Sequence, residues 1–263
     1  METGLASSRQ GGLSLLSARR VGWITAGAGA IALGAVFIWL FVFRDTSKPV
    51  TVGEAVAAAQ GEGNSAVYVY RTSGSEEIDV LLGSRHDYPS ETTITLTGQS
   101  DGCSTLRWDA LQERSTTWKL CTSAGATEIR GYRELHRFIG QTKHTDYVCD
   151  PGSLWRTASE EPGTPFERRC VAGETTETAR GRVVGIETVT IDGEPMDALH
   201  LRLDLTLEGR TRGTGTIDLW LRPSDGLVLR LALANDNRSA SAIGDVHYTE
   251  QAELELISLE PRS

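Results

Sequence analysis

The sequence predicts a mainly β protein: an N-terminal transmembrane helix, then an antiparallel curved sheet (half-barrel or sandwich) with one or two short helices. Three observations lead there. Residues 21–43 form an uncharged run of 23 residues; from residue 66 onward apolar and polar residues alternate with period two; and proline–glycine turn chemistry separates the alternating runs.

Composition sets the bounds. Of 263 residues, 39% are hydrophobic and 23% charged, which excludes a disordered or collagen-like chain. The net charge of −9 argues against a nucleic-acid binder, which needs a basic stripe to displace phosphate counterions. Among 26 basic residues only Lys48, Lys119 and Lys143 are lysine, an arginine bias expected of a GC-rich bacterial genome.

Residues 1–20 read as a short cytoplasmic tail. Residues 21–43, VGWITAGAGAIALGAVFIWLFVF, make a helix about 35 Å long, against a hydrocarbon core of about 30 Å. Trp23 at one end and Trp39, Phe41 and Phe43 at the other suit interfacial anchoring. A cleaved signal would need a shorter apolar core and a small-residue cleavage site, whereas this run ends in Phe-Val-Phe-Arg-Asp. Arg9, Arg19 and Arg20 precede the helix, while Arg44 and Lys48 come after it. That bias, with all four cysteines beyond the helix, places the N-terminus in the cytoplasm and the remainder outside, in an oxidising compartment. Gly22, Ala26, Ala30 and Gly34 form a small-residue stripe through which two copies could approach as a homodimer.

Residues 44–64 are a juxtamembrane linker in which a Thr51 cap opens a short helix through Glu54 to Gln60, ended by Gly61 and Gly63. Residues 65–263 are the β-rich domain. Because residues 1–43 hold one glutamate against three arginines, the remainder carries −11.

Strands are expected at 66–71, 77–82, 92–97, 104–108, 116–121, 182–191 and 247–257. The clearest alternation is Leu201, Leu203, Leu205 and Leu207, matched by Ile217, Leu219 and Leu221 and by Leu227, Leu229, Leu231 and Leu233. Between the last two runs Arg222-Pro-Ser-Asp-Gly226 supplies a hairpin turn. Residues 131–140, GYRELHRFIG, fit either a second short helix or a strand, and 150–165 form a long loop. With so little helix to cover a leucine-lined sheet, the sheet must meet a second sheet, giving a sandwich, or curl on itself into a barrel or half-barrel.

A shift of 111 residues aligns Gly98, Gly102, Thr105 and Leu106 with Gly209, Gly213, Thr216 and Ile217, and suggests a duplication with halves at about 66–149 and 175–259. By that repeat, Ser104 to Cys121 is a hairpin, which brings Cys103 beside Cys121 and leaves Cys149 for Cys170.

Residues 216–231, TIDLWLRPSDGLVLRL, resemble the strand–turn–strand of the lipoprotein-carrier (LolA-like) superfamily, and the exterior part resembles uncharacterised single-pass membrane proteins of high-GC bacteria. The resemblance implies a curved antiparallel half-barrel whose concave face holds acyl chains. The chain departs from the pattern at Ser224-Asp225, where the family has threonine second, and at Val228, where proline is usual. No ligand residue is transferred.

Searching for chemistry assigns no catalytic, cofactor-binding or metal-ligating residue. Gly98-Gln-Ser100-Asp-Gly102 fits the nucleophile-elbow spacing, but Cys103 to Trp108 reads as strand where the mechanism needs a helix. His86, His136, His144, His200 and His247 show no metal-ligand spacing. Glu76-Glu77 and Glu160-Glu161 read as solvated surface, Trp220 shares the polar face of its strand, and Asn237-Arg-Ser239 is a glycosylation sequon.

The leading expectation is a membrane-anchored extracytoplasmic binding or scaffold protein of the cell envelope. In its ligand-holding form Leu201, Leu203, Leu205, Leu219, Leu221, Leu227, Leu229 and Leu231 are the candidate apolar face for a lipid-like ligand; otherwise a surface meets an envelope protein. The alternative is a structural or assembly protein with a filled β core and no ligand. An envelope hydrolase through Ser100 ranks third.

Overall fold

The computed structural model describes residues 47–262, except 80–82, 100–101, 139 and 242–243. Residues 21–43 and Ser100 therefore lie outside the described residues. Among those described, no helix is long and apolar enough to cross a membrane.

The helix α1 (Val52–Gln60) starts at a capping box: Thr51 Oγ1 accepts from Glu54 N–H, and the Glu54 carboxylate accepts from Thr51 N–H. Its buried Ala55 and Ala59 pack on Val67, with Val50 and Val56 alongside. Among the described residues fourteen strands come after it: β1 (Ser65–Asp79), β2 (Ser84–Asp87), β3 (Glu91–Gly98), β4 (Cys103–Leu111), β5 (Arg114–Ser123), β6 (Ala126–Phe138) and β7 (Gln141–Cys149). Then come β8 (Leu154–Arg156), β9 (Pro165–Ala172), β10 (Thr175–Ile191), β11 (Glu194–Gly209), β12 (Thr211–Leu221), β13 (Val228–Ser241) and β14 (Gly244–Leu256). Residues 131–140 thus belong to β6 and the turn after it, not to a second helix. The expected strands at 66–71 and 77–82 are, as far as described, parts of the single β1.

All strands but β2 and β8 run antiparallel round a closed twelve-strand barrel, because β14 returns to pair with β1 from Tyr70↔Leu256 to Asp79↔His247. This corrects the half-barrel and sandwich. The free edges that an open sheet would leave are hydrogen-bonded to each other, the strongest remedy for an unpaired edge. β2 pairs with β1 alone, beyond the end of β3, and β8 pairs with β6. Gly74 sits on the closing seam at φ 126°, where a Cβ would lie 2.0 Å from the Gln251 carbonyl oxygen. Only glycine lets β1 bend there.

A round twelve-strand wall would leave a wide lumen, but here long side chains from non-adjacent strands meet across the interior. From β5 to β14 the sheet takes four steps, about 19 Å along the wall at 4.8 Å per strand. Yet Arg114 Nη2 of β5 lies 3.0 Å from Glu250 of β14. Tyr132 of β6 donates to Glu177 of β10 at 2.7 Å. One end of the barrel carries the β4–β5, β6–β7, β9–β10 and β11–β12 turns and is the polar end. At the opposite end Trp155 of β8 packs near Trp118, with ring centroids 5.5 Å apart, and Arg156 donates to the Pro223 carbonyl in the β12–β13 turn.

Candidate functional site

The ligand-holding expectation rests on the leucine face. The pairings Leu199↔Leu221, Leu201↔Leu219 and Leu203↔Ile217 put alternate residues of β11 and β12 on the barrel interior, and Leu219↔Leu231 and Leu231↔Leu254 carry the stripe into β13 and β14. Leu201, Leu203, Leu219, Leu221 and Leu229 are 0% exposed; Leu205, Leu227 and Leu231 are also buried. A wall enclosing room for an acyl chain would expose its side chains to that room. These leucines instead touch one another and Ile94, Trp108 and Tyr70 in one contiguous core. Tyr70 spends its hydroxyl on the Val228 carbonyl, 2.6 Å away.

Toward the polar end the same interior becomes ionic. Glu76 of β1 is 1% exposed, and its carboxylate is a hub. His86 Nδ1 lies 2.7 Å from Oε1, His136 Nδ1 3.0 Å from Oε2, the Tyr248 hydroxyl donates at 3.1 Å, and Arg114 Nε stands 3.6 Å away. An ionised carboxylate only accepts, so both Nδ1 atoms carry hydrogen. The His86 ring stacks on Phe138 at 4.4 Å, which ties β2 to the tip of the β6–β7 hairpin. Next to this hub, Glu250 receives Arg114 through Nε and Nη2, the Tyr88 hydroxyl at 2.6 Å and Asn235 Nδ2 at 3.1 Å.

The electrostatics derive from that wiring. Burial works to raise the Glu76 carboxyl, but hydrogen bonds from His136 and His86 and the charges of His136 and Arg114 outweigh it and hold it at about 2. For His136, burial and Arg114 push down while Glu134 and Glu76 push up, and the net direction is up. Glu134 is lowered in turn, burial opposing and His136 prevailing.

A second buried pair lies on the neighbouring wall. Arg168 of β9 meets Glu177 of β10 at 3.1 Å, Tyr132 donates to the same carboxylate, and Tyr147 stacks on Tyr132 at 4.3 Å. On the outer face Trp220 stacks on the His200 ring at 4.2 Å, with the Arg230 guanidinium 4.7 Å from its centroid, and donates to Glu187. His200 faces Glu187 through Nδ1 and Asp218 through Nε2.

The polar hub is not evident from sequence. Glu76 is expected on solvated surface beside Glu77; the strand does turn the two to opposite faces, but Glu76 points inward and only Glu77 is exposed. His86 and His136 are 50 residues apart and meet only because β2 and the β6–β7 hairpin share one rim. Asn237 of the sequon is half-buried in β13, its Oδ1 lying against Gly213, where a Cβ would fall 2.3 Å from it. The disulfides are Cys103–Cys121, joining β4 to β5, and Cys149–Cys170, joining β7 to β9.

No protein family and no curated protein matches the chain. Among solved structures, the crystal structure of the hypothetical lipoprotein YmcC from Escherichia coli (K12) is similar at 12% identity and a TM-score of 0.35, covering 82% of this chain and 100% of that one.

Proposed function

We propose that the protein is an extracytoplasmic scaffold or assembly module of the cell envelope, tethered by a helix at residues 21–43, that works through the outside of a filled barrel. One observation carries this choice over a lipid carrier: the five central leucines have no accessible surface. A carrier needs an apolar space comparable to its ligand. The two disulfides support an oxidising compartment.

The test uses the full chain in detergent micelles with a fluorescent fatty acid as probe. The expected result is no saturable uptake and no shift in melting temperature. Stoichiometric uptake that Leu203→Trp abolishes would return the carrier reading to first place.

A further inference from the structure

Among the described residues, one seam of the barrel is far shorter than the rest. β7 and β9 pair only at Val148↔Val171 and Cys149↔Cys170, with the Asp150 N–H donating to the Arg169 carbonyl just beyond. β9 ends at Ala172 and turns into β10, whereas β7 continues past that turn to Gln141, in unbroken register with β6. Backbone groups point to alternate sides along a strand. Asp150 and Val148 turn theirs toward β9, so Asp146, His144 and Thr142 turn theirs the same way, and among the described residues no backbone group pairs with them. Gln141, Lys143, Thr145 and Tyr147 turn theirs to β6.

The outer face beside this open edge is basic. The register sets Lys119, Gly131, Val148 and Val171 in one row across β5, β6, β7 and β9. The rows toward the polar end carry Arg133 and Asp146, then Leu135 and His144, then Arg137 and Thr142. Three cations stand there against one acid, on a chain whose part after residue 43 carries −11. Arg133 already holds Asp146, which leaves Lys119 and Arg137 exposed and without an ion pair among the described residues. Val148 is 69% exposed beside Gly131, which has no side chain to cover it.

We propose that the Gln141–Tyr147 edge of β7 is a strand-addition site for an extended, acid-rich segment of another envelope protein. This rests on the reading of the barrel as a module that works through its outside. The outward N–H and C=O groups of Thr142, His144 and Asp146 take an added strand by main-chain hydrogen bonds, and the neighbouring side chains select it. An acidic residue opposite Thr142 meets Arg137 over that small side chain; one opposite Lys143 pairs with it on the other face. Val148 gives an apolar contact at the end of the site. A second copy of the same edge, paired antiparallel about His144, would bring two sets of these cations to one seam, where like charges repel. The Cys149–Cys170 disulfide pins the short seam, so an added strand extends the wall without prising it open.

Residue-level hydrogen exchange of the full chain in micelles at pH 7 tests this, with a synthetic peptide of alternating glutamate and threonine ending in valine as the probe. Saturating peptide should slow exchange of the Thr142, His144 and Asp146 amides at least about tenfold, while β11 is unchanged. The same peptide with lysine for glutamate should not protect them. His144→Pro removes an outward N–H and leaves the β6 ladder whole, so it should abolish the protection. Arg137→Glu should weaken peptide binding, measured by fluorescence anisotropy, about tenfold, and it decides the matter should His144→Pro not fold. Unaltered exchange with the glutamate peptide, equal protection by the lysine peptide, or unchanged binding in either variant overturns the site. Protection of those three amides before peptide is added gives the edge to this chain itself or to a second copy, and overturns it too. Fatty-acid uptake by the barrel removes the scaffold reading instead, whether or not the peptide binds.

Discussion

Arg114→Met removes the one guanidinium between two buried carboxylates, and its effect can be worked out from the contacts. Arg114 gives Glu250 two hydrogen bonds, at 3.1 and 3.2 Å, and also donates to Thr116 Oγ1 and the Ser115 carbonyl. Hydrogen bonds to charged groups contribute about 1.5–3 kcal/mol each, but these share one carboxylate and do not add. The dominant loss is the charge left behind. Glu250 is 2% exposed, so stripping its partner should destabilise the barrel by about 3–5 kcal/mol. Arg114→Met with Glu250→Met should cost only about 1–3 kcal/mol, since what remains is the Tyr88 hydroxyl and Asn235 amide without their acceptor. The single variant should also regain stability as pH falls from 7 to 5, because the stranded carboxylate can then take a proton. Urea unfolding monitored by tryptophan fluorescence, with disulfides intact, measures all three quantities; Trp108, 5.5 Å from the guanidinium, is a local reporter. A loss below about 1 kcal/mol in the single variant, or additive losses in the double, would refute the claim that this charge is buried and uncompensated.

Three further outcomes are expected. Leu203→Ala should lower unfolding stability in urea by about 2–5 kcal/mol, the range for a leucine truncated in a filled core, whereas a ligand-lining leucine would lose far less. Gly74→Ala should cost at least about 1–3 kcal/mol, seen as a lower melting temperature, because its Cβ would meet the backbone of Gln251 across the seam. Replacing Cys149 and Cys170 by serine opens a link spanning 21 residues and should cost about 3 kcal/mol in the same urea assay.

Much of the wall was legible because its signals are local. The leucine runs of β11 to β13 alternate without interruption, and the turn at residues 222–226 closes as its residues dictate: Gly226 takes φ 78°, and Asp225 Oδ1 accepts from the Leu227 N–H. The Thr51–Glu54 spacing likewise announces a helix start that the capping box realises. Which two strands close the wall was not legible. It depends on β1 pairing with β14, about 180 residues away (Tyr70↔Leu256), and no window of sequence records that partner. The buried hub escapes sequence reasoning for the same reason. Alternation shows that Glu76 and Glu77 face opposite ways, but which face lies inside is fixed by the long-range register.

That register has an internal check. Glu76 and Glu250 sit directly opposite each other where the barrel closes. Like charges at facing positions of neighbouring strands destabilise the pair, so this seam is unfavourable when considered alone. It becomes favourable only when Arg114 reaches across from β5 and the histidines arrive from β2 and β6, and those groups are in place only when the intervening strands are correctly paired. A one-residue slip of β14 would turn Glu250 outward and leave Arg114 buried without it. The ionic cluster therefore penalises the wrong closure more than it strengthens the right one, while the leucines of β11 to β13, interchangeable along their stripe, supply the bulk of the burial without discriminating between neighbouring registers.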